Sequence, residues 1–251
     1  VQSIVDDLAV LSQQDRFSQE PALSYLGERR REITDFLQQI SAQEEFSELP
    51  RFYDIRATDA DFIAQYMLVE NETLYLFDGQ RGEGLILNTS DQSVTPRSLE
   101  GVSSIQDVSF EGDTLGLLTP EGIISQVEEQ TATDLVIAGD QLPESAEMIE
   151  QFGDAWYVLS LEQRSLERFR PDDAGEYGES TGWVRSAAGL SFDTITDLAI
   201  DGDVWFATDR GEVLRFRSGR PEEFSISGLS EPFSGSLEVW LDQDVPYVYV
   251  L

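Results

Sequence analysis

Five stretches of this chain share one phrase, a polar turn followed by a β-rich run. They are ENETLYLF (70–77), EGDTLGLL (111–118), FGDAWYVL (152–159), DGDVWFAT (201–208) and DQDVPYVY (242–249). Their anchor residues Leu74, Leu115, Trp156, Trp205 and Pro246 follow one another at intervals of 41, 41, 49 and 41 residues. A unit of that length, rich in short strands, cannot bury its apolar face alone and has to stack against copies of itself. Helical repeats of similar length are disfavoured, because after Pro50 the apolar residues do not recur with a 3.6-residue period. The long interval contains RPDDAGEYGESTG (170–182), which reads as an inserted loop.

Each unit divides into four strands. In the fourth, ITDLAI (195–200) is the first strand, DGD the turn and VWFAT the second; EVLRFR is the third and EEFSIS (222–227) the fourth. The predicted architecture is therefore all-β: a β-propeller of four-stranded blades, with the innermost strand buried on both faces. Trp156 and Trp205 are placed at one register, each filling the wedge between diverging blades. Four complete units span 59–100, 101–143, 144–188 and 189–230, and a partial fifth spans 231–251. The propeller region is 49–251. It stops after the second strand of the fifth unit, so ring closure is expected to need residues beyond Leu251.

Residues 1–48 read differently. Ile4, Leu8 and Leu11 share a helical face, and after Pro21 so do Leu23, Leu26, Ile33, Leu37 and Ile40. Two readings of this α-helical lead-in stay open, a stalk that couples the propeller to something upstream and a cap packed on it. Arg29, Arg30 and Arg31, flanked by Glu28 and Glu32, form a charged belt that fits a salt-bridged helix face better than a membrane contact.

The stretch GLSFDTITDLAIDGDVWFATDRGEVLRFRSG (189–219) resembles a blade of two-component-regulator-type propellers. Gly116, where that pattern has a bulky residue, and Trp156 followed by YVLS without its Thr depart from it. The helical lead-in followed by FYDIRATDADFIAQYMLVENETLYLFD is also similar to propellers that follow a membrane segment in some bacterial phosphatases of the PPM class. The aspartate-rich catalytic domain of that class is not in this sequence. These resemblances imply a sensor domain on the extracytoplasmic side of a membrane-anchored prokaryotic protein.

Composition narrows the chemistry. Histidine and cysteine are absent, and every one of the 16 basic residues is arginine. That removes Ser-His-Asp and Cys-His catalysis, thiolate and imidazole metal sites, Schiff bases and the P-loop lysine. No catalytic residue and no cofactor are expected. With 49 acidic residues the formal charge is −33, which repels nucleic acid and anionic lipid. A lysine-free, acid-rich surface is also associated with halophilic proteins, beside the plainer reading of an arginine-preferring genome. No apolar run is long enough to span a bilayer, so no direct membrane insertion is expected within the chain. It begins at Val1, without a signal-peptide pattern, and reads as trimmed at both ends.

Asp201 and Asp203, echoed by Asp242 and Asp244, are the candidate ligands for a hard cation such as Ca²⁺. Their recurrence at one blade position favours ordinary turn chemistry instead. Asp172, Asp173, Glu176, Tyr177 and Glu179 lie in the inserted loop, which reads as a solvated acidic loop or as a binding loop on one propeller face. Gly79, Gly82 and Gly84 lack nucleotide-fingerprint spacing and read as a turn. Asn71 and Asn88 each begin a glycosylation triplet.

The leading expectation is a non-catalytic propeller that senses a small-molecule or protein ligand on one face. The first alternative is a carboxylate-based lyase or glycosidase using axial residues such as Gln106, Asp107, Glu147 and Asp197, which needs two acids about 5–10 Å apart, one with a raised pKa. The second is a Ca²⁺-dependent structural or adhesive module.

Overall fold

A computed structural model describes residues 52–70, 72–97, 99–127, 133–184, 189–224, 233, 235, 237–241 and 248–250. The chain divides into two units, Val1–Phe52 and Tyr53–Leu251. The helical lead-in over 1–48 lies outside the described residues, and every strand belongs to the second unit.

Four sheets succeed one another along the chain, each an antiparallel meander of four strands. The first comprises β1 (Tyr66–Glu70), β2 (Thr73–Asp78), β3 (Glu83–Asn88) and β4 (Val94–Arg97). The second comprises β5 (Asp107–Glu111), β6 (Thr114–Thr119), β7 (Gly122–Val127) and β8 (Asp134–Ala138). The third comprises β9 (Met148–Phe152), β10 (Ala155–Ser160), β11 (Ser165–Phe169) and β12 (Thr181–Gly182). The fourth comprises β13 (Ile195–Ile200), β14 (Val204–Thr208), β15 (Val213–Arg217) and β16 (Arg220–Glu222), and a two-stranded sheet of β17 (Val239–Leu241) and β18 (Val248–Val250) completes the order. The first strands of successive sheets stand beside one another. Four-stranded meanders stacked face to face, with their first strands innermost, are propeller blades.

The core lies between blades. Tyr75 and Phe77 meet Leu115 and Leu117 between the first and second. Trp156 and Val158 meet Leu118, Ile123 and Ile137 between the second and third. Tyr157, Leu159 and Trp183 meet Leu198, Val204 and Phe206 between the third and fourth. Trp205 and Ala207 pack on Leu237 and Val239 beyond the fourth. Each second strand thus serves two interfaces with alternate residues, as strand periodicity requires.

That alternation corrects three readings of the sequence. First, the second strands are the most buried: every residue of β10 and β14 is buried, whereas the first strands are mixed. A first strand has one edge on the axis, whereas a second strand is flanked by strands on both edges and by blades on both faces. Second, Trp156 and Trp205 do not share a face. The hairpin before Trp156 turns in two residues, Gly153 and Asp154, whereas the one before Trp205 turns in three, Asp201 to Asp203. The extra residue flips the register, so Trp156 faces the preceding blade and Trp205 the following one. Val204 is the true counterpart of Trp156. Third, the fourth strand of the fourth blade is Arg220–Glu222, beginning two residues before the expected 222–227, of which 225–227 lie outside the described residues. Ser218 and Gly219 both have positive φ, 50° and 76°, and form a two-residue hairpin that returns the chain at once. Pro221 is accommodated because β16 is an edge strand.

Every second strand of the four blades ends in a buried polar residue that ties the next turn. Asp78 accepts from the Gln80 and Arg81 amides, Thr119 donates to the Gly122 carbonyl, Ser160 accepts from the Gln163 amide, and Thr208 accepts from the Arg210 and Glu212 amides. Ser160 therefore does the work of the Thr that the YVLS phrase lacks.

Candidate functional site

The first strands carry the axial acids. Along β5, Asp107, Ser109 and Glu111 accept hydrogen bonds from the Ile149, Gln151 and Gly153 amides of the third blade, at 2.7, 2.9 and 3.0 Å. Alternate side chains on one strand meet alternate amides on the next, and this ladder replaces backbone pairing where two inner strands diverge. Asp197 repeats the device, accepting from the Val239 amide at 2.8 Å, and in the first blade Tyr66 donates its hydroxyl to the Gln106 carbonyl at 2.5 Å.

These positions gather charge. Burial, aided by the Asp197 charge and opposed by the Ile149 and Val108 amides, pushes the Asp107 carboxyl up to about 7. Burial pushes Asp197 up to about 6. Glu150, in β9, is driven well above the carboxylate range by burial, with Asp107, Asp197 and Glu111 as repelling neighbours and the Ser109 hydroxyl as a hydrogen-bond partner. The structure therefore brings together Asp107 and Asp197, but not Glu147, whose carboxylate caps the Leu161 amide at 2.9 Å. Glu150 is the axial acid that sequence reasoning missed. Its signal was an acid inside the first strand MIEQF, a segment otherwise suited to burial.

The cation candidates have other partners. Asp201 accepts from the Asp203 amide and the Trp205 indole at 3.0 and 3.1 Å. Asp203 is held by Arg215 and Arg217 at 2.5 and 2.9 Å. Burial raises its pKa, but the Arg217 and Arg215 hydrogen bonds outweigh that and hold it below the usual range. Arg215 also lies over the Trp205 ring, 5.0 Å from its centroid. Two guanidiniums supply the neutralisation that a cation would bring. Among the described residues no group of three or more acids is placed to hold a metal. Asp242 and Asp244 lie outside the described residues, as does Asn71. The Asn88 side-chain oxygen accepts from the Ser90 and Asp91 amides, and Gly79 and Gly82 sit in the turn against the Ile105 and Val102 carbonyls.

The inserted loop folds on itself. Asp172 accepts from the Ala174 and Glu176 amides at 2.8 and 3.0 Å, Pro171 bridges Tyr177, and the Tyr177 hydroxyl donates to the Asp154 carbonyl at 3.0 Å. Its two ends, Arg170 and Gly182, border a cleft of about 360 Å³ between the third and fourth blades. The floor is aromatic, with Phe152, Tyr157 and Trp183; Tyr157 and Trp183 meet edge to face at 6.3 Å. Arg168 and Arg170 supply two guanidiniums and Asp154 one carboxylate. Gly202 and Ser218, from two turns of the fourth blade, close the far side.

No protein-family model matches the chain, and no curated protein matches it. Solved structures do. A functionally unknown protein from Desulfotomaculum acetoxidans is 14% identical with a TM-score of 0.52, over 76% of this chain and 62% of that one. The extracellular domain of a proposed one-component system from B. thetaiotaomicron is 17% identical with a TM-score of 0.46, over 72% and 24%. The β-propeller domain of a Myceliophteria thermophila protein is 13% identical with a TM-score of 0.46, over 72% and 59%. The chain spans less than two thirds of each. At these identities the likeness concerns the fold alone. Among the described residues no helix is long and apolar enough to cross a membrane.

Proposed function

We propose that this chain is a non-catalytic propeller that senses a ligand on the face formed by the first and third hairpins of its blades. The observation that carries this reading is the contrast between two sets of polar groups. The axial acids Asp107, Glu111 and Asp197 are engaged by amides of the neighbouring blade. The cleft beside the insertion is instead lined by the half-buried Arg168 and the exposed Arg170, which form no ion pair among the described residues, next to the largely buried Tyr157 and Trp183. Coupling through residues 1–48 to an upstream domain, and placement on the extracytoplasmic side of a membrane, belong to this proposal.

A thermal-shift screen of a metabolite collection tests it. Ser218, exposed on the far side of the cleft, can be replaced by Trp to occlude it. Compounds that stabilise the wild type and not Ser218→Trp are the expected result. Compounds whose effect survives Ser218→Trp and disappears in Asp107→Asn would move the site to the axis.

The second reading, a carboxylate enzyme, rests on one observation: Asp107 and Asp197 have raised pKa values beside Glu150, the environment in which a general acid keeps its proton near neutrality. The amide hydrogen bonds to both residues give that environment a structural purpose without catalysis.

A further inference from the structure

The cleft is an anomaly of charge. The chain has 49 acidic residues and 16 arginines, so carboxylates outnumber guanidiniums about threefold. Arg56, Arg81, Arg164, Arg215 and Arg217 all have a carboxylate partner. Arg168 and Arg170 form no ion pair among the described residues, and the Arg168 Nε is buried without a hydrogen-bond partner. An unmatched buried donor of a charged group costs free energy. Here it persists on a wall where cations outnumber acids two to one, in a molecule where the ratio is the reverse and steeper.

Position explains how both side chains arrive there. Arg168 pairs with Tyr157 across β10 and β11, so the two share the sheet face that looks toward the fourth blade. Arg170 succeeds β11 at the root of the insertion. Gly153 and Gly202 each remove one side chain from the two turns that border the cleft. A volume of about 360 Å³ lies at the small end of ligand pockets.

We infer that this cleft is a binding site for a small organic carboxylate with a planar apolar body. The carboxylate meets the Arg168 and Arg170 guanidiniums, whose forked donors match it in geometry, and the planar body lies against Phe152 and Trp183. Asp154, the one acid of the lining, disfavours dicarboxylates and polyphosphates relative to a monoanion. This inference rests on the proposed ligand-sensing reading and names its chemistry.

Benzoate and its neutral counterpart benzamide are the probes, titrated into the full chain with the four tryptophan indole NH resonances as reporters. Trp183 is assigned by its loss in Trp183→Phe. Benzoate is expected to shift the Trp183 resonance to saturation, with benzamide at least ~10-fold weaker, the difference a charge-assisted pair makes. Arg168→Gln is expected to weaken benzoate ~10-fold while leaving the melting temperature and the other indole signals in place. Arg170→Gln gives a second, exposed test position should the first variant fold poorly. Equal binding of the two probes at Trp183, indifferent to both arginine variants, overturns the anion class and leaves ligand sensing at the cleft intact. Absence of any shift at Trp183 with either probe overturns the cleft as a carboxylate site.

Discussion

Gly116 is the residue on which the second and third blades close. A Cβ placed there would lie 2.0 Å from Cη2 of Trp156, whose indole is 1% exposed. Nothing in that wedge can yield easily, because Leu118, Ile123 and Ile137 pack around the same ring. Gly116→Ala should therefore destabilise the protein by about 1–3 kcal/mol, the usual range for overpacking. Trp156→Phe should relieve much of that loss, and chemical denaturation of the two single variants and the double variant measures the coupling. Additive costs would mean that the two residues do not press on each other. Asp107 makes a second prediction. Its native pKa, about 7, lies well above that of an ordinary aspartate, so between the two values the folded state keeps a proton that the unfolded chain has released. Its contribution is most favourable below about pH 4, is lost as pH rises toward 7, and is flat above that. Asp107→Asn should then raise the melting temperature relative to wild type at pH 8, and the gain should vanish near pH 4. An equal difference at both values would show that Asp107 is not held protonated.

The β5–β9 ladder is the clearest case of an element held by side chains. Ser109→Ala removes the acceptor of the Gln151 amide inside a tightly packed site, where Ser109 is 1% exposed. The expected cost is about 1–3 kcal/mol, with faster hydrogen exchange concentrated at Gln151 and its neighbours on β9. Uniform acceleration across the blade would instead indicate a general packing loss. Elements with strong local signals were legible in the sequence: ITDLAI became β13 and VWFAT became β14 because an apolar run and its turn suffice to define them. The ladder was not, since Asp, Ser and Glu at alternate positions look like a solvated face until the neighbouring strand is in place. The flipped register of Trp205 was hidden by a turn one residue longer than its counterpart before Trp156. Strand β16 was hidden by Pro221, which reads as a breaker, although the Ser218-Gly219 dipeptide before it is a hairpin signal. The cleft depends on residues from two blades. Its sequence trace was the 170–182 insertion, and nothing local distinguished Arg168 and Arg170 from the other arginines.

A formal charge of −33 on 251 residues makes the molecule as a whole repel itself, and the blade interfaces hold against that field. Salt shortens the reach of such repulsion from about 10 Å at 0.1 M to about 3 Å at 1 M. The melting temperature should therefore rise steadily over that range of sodium chloride, and the Asp203→Asn variant, which weakens one acidic partner of Arg215 and Arg217, should show the same slope. A melting temperature that falls with salt would mean that ion pairs, not repulsion, dominate the balance. The same field makes the Arg168–Arg170 cleft conspicuous, because a negative ligand can bind only where the local sign is reversed. The most direct measurement is a crystallographic fragment soak of the full chain with a library balanced between carboxylates and neutral compounds. Carboxylate fragments seated between Arg168, Arg170 and Trp183, with the axis empty, are the predicted result. Fragments gathered around Asp107, Glu150 and Asp197, with the cleft empty, would contradict ligand sensing at the cleft and point to chemistry at the axis.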